Sequence, residues 1–309
     1  TFFLPKAKEQ FSKHENLLNI GCNVGGALTT REKMYSLITY RSMEALIANK
    51  IFDNPFRPWV EGSDFNADPY IIGYVTVGMH LIGISKWLSD FRKKENVSNI
   101  AFLARDGYIP MKAFQKLTNY LGDSSVTTNY VACSRKALLP WIIENENGLY
   151  YLPIQFNKHT PLSVGRLLGC SYKNITIEEL KAIIQENGFI AEKKFSNEYE
   201  FFAFINWFKE NLFSTDALEE SKLIVSKYYK DQIPPKSCVF DLGYSGRILE
   251  ALQKCLGYEV FFMYIHHDNK SFYERVRKNR LNVKIMYDFV PAYSDLIREF
   301  FLSEQGNSC

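Results

Sequence analysis

Two short stretches of this sequence bring a glycine turn, a cation and an acid together, a combination suited to phosphate chemistry. Across Cys238–Arg247 an apolar run ends in Asp241, and Gly243, Tyr244, Ser245 and Gly246 then lead to Arg247. Glycines allow a tight backbone, and the unpaired amides that open a helix carry partial positive charge, so a phosphate group fits there. Asp241, at the tip of the run, suits ribose hydroxyls or a magnesium ion; in the plainer alternative it caps the helix. Across Ile100–Tyr108 a second apolar run delivers Arg105, Asp106 and Gly107. The Arg105 guanidinium can grip a second phosphate with two donors, while Asp106 can serve as a base or a magnesium ligand. A surface ion pair between the two is the alternative. A third group, Ser134, Arg135 and Lys136, follows the stretch Tyr130–Cys133. Beside the other two turns its charge would neutralise a polyphosphate leaving group; elsewhere it is a solvated basic turn.

Such turns act together only if a scaffold lines them up. Apolar runs predict strands over 99–104, 126–133, 236–242 and 259–266, with helices following the first to Leu121 and spanning 246–256. Strand, turn, helix, strand is the order of a parallel sheet with crossover helices, and ligands of such sheets bind at the carboxyl ends of the strands. Residues 1–95 form an N-terminal helical region, with helical spacing over Arg31–Lys50 and Pro69–Phe91. Residues 96–309 are the α/β core, interrupted over about 145–235 by a helical insertion with amphipathic segments near Glu178–Glu186, Glu198–Leu212 and Ala217–Tyr229. A last amphipathic helix is expected over Tyr293–Glu304, where Glu299 could line an acceptor.

Composition narrows the classes. A 309-residue chain with 46% hydrophobic residues can build a substantial core. A net charge of +3 from 37 basic and 34 acidic residues lacks the basic excess that nucleic acid binding needs. The six cysteines show no metal-ligand spacing and read as reduced, buried thiols in a cytoplasmic protein. Tyr70–Ser85, uncharged but containing His80, is shorter than the roughly 20 residues of a spanning helix, so no transmembrane segment is expected. His266 and His267 read as a polar strand end, with a site as the alternative, and Arg275, Arg277, Lys278 and Arg280 as a solvated basic face, with contact to an anionic lipid-linked acceptor as the alternative.

The strand ending in Arg105-Asp106-Gly107 resembles the pyrophosphate loop of a type I phosphoribosyltransferase. Ser134-Arg135-Lys136 is similar to the start of that family's flexible loop, and Val239–Arg247 to its PRPP loop. More closely, Phe102–Pro110 (FLARDGYIP), Cys133–Pro140 (CSRKALLP) and Phe240–Ile248 (FDLGYSGRI) resemble domains found beside HAD-type phosphatases in bacterial surface-polysaccharide clusters. The resemblance implies a type I phosphoribosyltransferase-like parallel sheet. It also implies transfer of phosphoribosyl from PRPP, with Mg2+, to a lipid-linked glycan acceptor, and later removal of the 5-phosphate to leave ribofuranose. Thr1–Phe11 is similar to the segment after a HAD domain's last motif, so a HAD-type phosphatase is expected upstream. The enzyme would be cytoplasmic or peripheral at the inner membrane face.

On that resemblance Tyr244, Ser245, Gly246 and Arg247 hold the 5-phosphate, with Gly243 shaping the turn and Asp241 on the ribose and its magnesium. Arg105, Gly107, Ser134, Arg135 and Lys136 surround pyrophosphate, and Asp106, then Glu299, are the candidate bases. The sequence departs from the family in two places: Leu242, not a second acid, follows Asp241, and Ser245 stands where Thr is common. Two other readings compete. A nucleotide-sugar glycosyltransferase would commonly carry an Asp-x-Asp pair, which is absent; a non-catalytic glycan-binding module would use tryptophans such as Trp59 and Trp141 as platforms.

Overall fold

The order of elements follows from where apolar runs meet turn residues. In chain order come α1 (Gly78–Lys94), β1 (Asn99–Leu103), α2 (Tyr108–Tyr120), β2 (Thr127–Val131) and α3 (Leu139–Ile143). Next are α4 (Pro161–Leu167), α5 (Ile177–Glu186), α6 (Glu198–Asn211) and α7 (Thr215–Gln232), then β3 (Cys238–Tyr244), α8 (Arg247–Leu256), β4 (Phe261–His267), α9 (Lys270–Lys278) and β5 (Val283–Ile285). This computed structural model describes residues 77–267 and 270–286, with Tyr70 and Gly73. The helix expected over Arg31–Lys50, the C-terminal helix with Glu299, and Thr1–Phe11 lie outside the described residues. The chain divides into two compact units, Thr1–Gly83 and Ile84–Cys309, and the fold below is that of the second.

The sheet order is β2-β1-β3-β4-β5, and every pair is parallel. A parallel sheet is covered on both faces, which is why β1 and β4 are almost continuously apolar instead of alternating. On one face Phe102 packs against Phe240 and against Phe114 of α2, while Phe91 of α1 meets Phe261 edge-on. On the other, Ala101, Val239, Phe262 and Tyr264 lie in one cluster with Tyr229 of α7 and Leu249 and Leu252 of α8. Helices on both faces make this a doubly wound α/β fold, with the strand order of the flavodoxin-like class.

β1 continues to β2 on one side, whereas the next strand in the chain, β3, joins β1 on its other side. The crevice outside the carboxyl ends of β1 and β3 is therefore the topological switch point, where open parallel sheets bind ligands. Between β2 and β3 the chain makes the expected helical excursion. Its helices enclose a core of their own, including Leu149, Val164, Leu180, Phe204 and Phe208. Capping boxes at Thr160 with Ser163 and at Thr176 with Glu179 set the starts of α4 and α5. Among the described residues no helix is long and apolar enough to cross a membrane.

Candidate functional site

The three glycine or cation turns begin on neighbouring strands. Register pairs Leu103 with Val131 and Phe102 with Phe240, so the chain leaves β2 and β1 at the same height, while β3 runs on past Asp241, the residue next level with Leu103, to Tyr244. With strands spaced about 4.8 Å apart, β2 and β3 lie roughly 10 Å from each other across the edge, and the β3 turn stands above the other two.

At the end of β1 the Ala104 amide donates to the Val131 carbonyl at 2.8 Å, extending the pairing with β2 by one residue. The Gly107 amide then turns back to Leu103 O at 2.8 Å, and Gly107 O accepts from the Met111 amide in the first turn of α2. Glycine is required: a Cβ on Gly107 would stand 2.6 Å from Leu103 O. The Ala104–Arg105 peptide is cis. Arg105 keeps 36% of its side chain exposed, whereas that of Asp106 is 10% exposed, and Arg105 Nε lies 4.0 Å from Asp106 Oδ1. Asp106 is thus an inward-facing acid beneath an outward-facing cation.

At the end of β2, Ser134 Oγ accepts from the Ala137 amide and its carbonyl from the Leu138 amide, both at 3.1 Å. The hydroxyl is therefore engaged in shaping the turn into α3. Arg135 and Lys136 are exposed, and among the described residues neither has an ion-pair partner.

The β3 turn is the most constrained. Gly243 pairs with His266 of β4 at φ 125°, and a Cβ there would fall 1.9 Å from His266 O. Gly246 caps α8 in the left-handed region, φ 71°, with a Cβ position 3.1 Å from the Phe272 ring of α9. Arg275, also of α9, donates from Nη1 to Ser245 O at 2.5 Å and from Nε to Glu250 Oε2 at 2.9 Å. Lys254 bonds the other Glu250 oxygen at 3.0 Å and pairs with Glu144 after α3. Burial works to raise the Glu250 carboxyl, but Lys254 and Arg275 outweigh it and hold the group below its ordinary value. Asp241 is half-buried in the row with Tyr264, and Arg247 is exposed at the start of α8. Tyr244 pairs with His267 as the last residue of β3.

One sequence expectation changes. Arg275 is not part of a solvated face; it reaches inward and braces the loop of β3, because helix α9 turns it away from its exposed neighbours Arg277 and Lys278. His266 and His267 end strand β4, as expected, but that end is not solvated. Both are buried, and His267 stacks on Phe272 at 5.3 Å with its Nε2 3.3 Å from the Tyr273 hydroxyl. Sequence reasoning also passed over Glu250 and Glu144; the spacing of Glu250 and Lys254, one helical turn apart, was the available signal.

Cys133, Cys238 and Cys255 are free and buried, as expected, whereas Cys170 is half-buried; Cys22 and Cys309 lie outside the described residues. Burial pushes the Cys133 and Cys238 thiols up to about 12 and Cys255 up to about 11. Among the described residues no three His, Cys, Asp or Glu side chains gather into a metal-holding group. No protein-family model matches the chain, and no curated protein matches it.

Chemically, the edge offers a partly exposed cation on the β1 turn, exposed cations on the β2 turn and a glycine-shaped helix start on the β3 turn, with the half-buried Asp241 on β3 below it. Such an arrangement can hold an anionic group at each end of a small molecule and a hydroxyl-bearing middle.

Proposed function

We propose that the chain is a glycan phosphoribosyltransferase that moves 5-phosphoribosyl from PRPP to a sugar hydroxyl of a bacterial surface-polysaccharide acceptor, releasing pyrophosphate. The observation that carries this reading is that the three turns all leave the carboxyl ends of the adjacent parallel strands β2, β1 and β3. PRPP has phosphate at one end, pyrophosphate at the other and ribose hydroxyls between, which is the complement of that edge. The bacterial acceptor, the phosphatase partner and the place at the inner membrane face rest on the resemblance of the three motifs.

In the reaction the acceptor oxygen forms its bond to ribose C1 as the bond from C1 to pyrophosphate breaks, and the pyrophosphate leaves with the bonding electrons. Positive charge develops on the ribose and negative charge on the leaving group, so catalysis is chiefly positioning and charge stabilisation. The Gly243–Gly246 turn and the first amides of α8 hold the 5-phosphate, with Arg247 beside them. Arg105, Arg135 and Lys136 take the pyrophosphate, and the Gly107 turn brings its backbone close. Magnesium binds through few carboxylates and many substrate oxygens; arriving on PRPP, it would meet Asp241, the half-buried acid of the β3 edge. Asp106, buried behind Arg105, suits holding that guanidinium in place more than meeting an acceptor, and the acceptor proton then goes to another carboxylate or to the departing pyrophosphate.

Calorimetric titration of the chain with PRPP and magnesium tests the proposal. Saturable binding is expected, weakened at least tenfold by Arg105→Ala and by Asp241→Ala in protein whose circular dichroism matches the parent. A folded parent chain that binds no PRPP would end this reading in favour of a nucleotide-sugar donor or a glycan-binding module.

A further inference from the structure

Beside the β3 turn, between α3 and α8, lies a cleft of about 180 Å³, lined by Trp141, Glu144 and Tyr151 on one side and Arg247, Glu250 and Lys254 on the other. Its volume equals that of about six waters at liquid density, enough for one sugar ring. Arg247 belongs at once to this cleft and to the start of α8, so an occupant would sit next to whatever the β3 turn holds.

Glu144 is held there in an unusual way. The Asn145 amide donates to Ile143 O at 2.7 Å across Glu144, whose φ is 62° and ψ −49°. That is a γ-turn of the positive-φ kind, a rare and strained conformation for a residue with a Cβ. Three bonds retain it: the Glu144 amide to Pro140 O, Lys222 Nζ to Glu144 O at 2.7 Å, and the ion pair of Glu144 Oε1 with Lys254. Glycine would take this backbone more cheaply. Strain kept at a carboxylate on the wall of a cleft points to use of that carboxylate.

The charge pattern indicates what it would bind. Of the three cations in the lining, Lys254 is committed to Glu144 and Glu250, Arg275 to Glu250 and Ser245 O, and Arg247 stands at the end shared with the β3 turn, so an anion deeper in the cleft would displace bonds already made and face two carboxylates. A neutral ring with hydroxyls faces no such cost. Glu144 remains half exposed with Oε1 engaged, which leaves Oε2 to accept from a hydroxyl. Tyr151, 83% exposed, and Trp141 supply aromatic surface for the apolar face of a sugar.

We infer that this cleft is the subsite for the acceptor sugar, with Glu144 as the carboxylate that binds and orients the attacking hydroxyl. The inference rests on the phosphoribosyltransferase reading for its chemistry, but it can be tested without the donor. The chain is titrated with a mixture of the methyl glycopyranosides of galactose, glucose, mannose and rhamnose. The indole resonance of Trp141, assigned by its loss in Trp141→Phe, is followed in heteronuclear NMR spectra. It is expected to shift and saturate in the parent chain, and to lose the shift in Glu144→Ala and in Glu144→Gly. The glycine variant relieves the strained backbone, so its melting temperature is expected to stay close to that of the parent while its sugar response is lost, separating binding from folding. An unmoved Trp141 resonance in the parent, a full response in either variant, or a response to inorganic phosphate instead of the glycosides would overturn the subsite. The PRPP titration reads the donor site separately: PRPP binding without a sugar response removes this inference alone, and a sugar response without PRPP binding removes the donor reading alone.

Discussion

Arg275 illustrates how far a single residue can act from the group it serves. It touches no expected phosphate position, yet its guanidinium links the carbonyl of Ser245 to Glu250, and through Glu250 to Lys254 and Glu144. Charge-assisted hydrogen bonds of this kind are worth about 1.5–3 kcal/mol. Arg275→Ala is expected to weaken PRPP binding about tenfold, equivalent to about 1.4 kcal/mol, with a smaller loss of unfolding free energy. Arg275→Lys should restore little, because one ammonium cannot reproduce the two-directional fork. Calorimetry on both variants measures this, and unchanged affinity in the alanine variant would show that the turn keeps its shape unaided. The motifs at this scale were readable because glycine and charge stood in sequence order after apolar runs. Arg275 was not, since a run of four basic residues looks the same whether one of them faces inward or none does. Asp106 was expected to act as a base or metal ligand, and its burial was not readable; which of two adjacent polar residues faces outward depends on how the backbone leaves β1.

At the level of elements, the helical insertion has the features of a unit that stabilises itself. It has its own apolar cluster and capping boxes at two of its helix starts, and Phe204 at its centre is fully buried between Phe189, Phe195, Trp207 and Phe208. Phe204→Ala is expected to cost about 3–5 kcal/mol. Hydrogen exchange should then show protection falling in α4 to α6 well before it falls in β1, β3 and β4. Uniform loss across the chain would mean that insertion and sheet unfold as one. The three long insertion helices were legible from helical spacing and begin and end within a few residues of the expected positions. The strands were legible because a parallel sheet buries both faces and leaves plain apolar runs. The short β5 and helix α9 escaped, since three residues of strand carry no period and α9 has a polar face over most of its turns.

For the molecule as a whole, the buried thiols link stability to pH. A thiol in an unfolded chain ionises near pH 8.5, whereas Cys133 and Cys238 in the fold are pushed up to about 12 by burial. Their folded values lie above the unfolded one, so the stabilisation is fully present below about pH 8.5 and is lost as pH rises through that window towards 12. Denaturant titrations at pH 8 and pH 10 should give lower stability at the higher pH, with a smaller drop in Cys133→Ala. In the native state Cys133, Cys238 and Cys255 should resist thiol reagents that label them at once in denaturant. Rapid native labelling of any of the three would contradict the buried sites assigned to them.

The strand order has a further consequence, felt before the protein is finished. Ser237, at the start of β3, bonds to Asn99, at the start of β1, across 138 residues of chain. At a synthesis rate of about 5–20 residues per second, β1 waits on the order of ten seconds for its central neighbour to emerge. During that time its apolar edge can pair with β2 alone. An insertion that collapses early around its own core shortens the distance β3 must search, and lowers the entropy of closing so long a loop. The excursion that walls the proposed acceptor cleft in the finished fold would thus first serve the nascent chain, shielding a half-built sheet from the wrong partners.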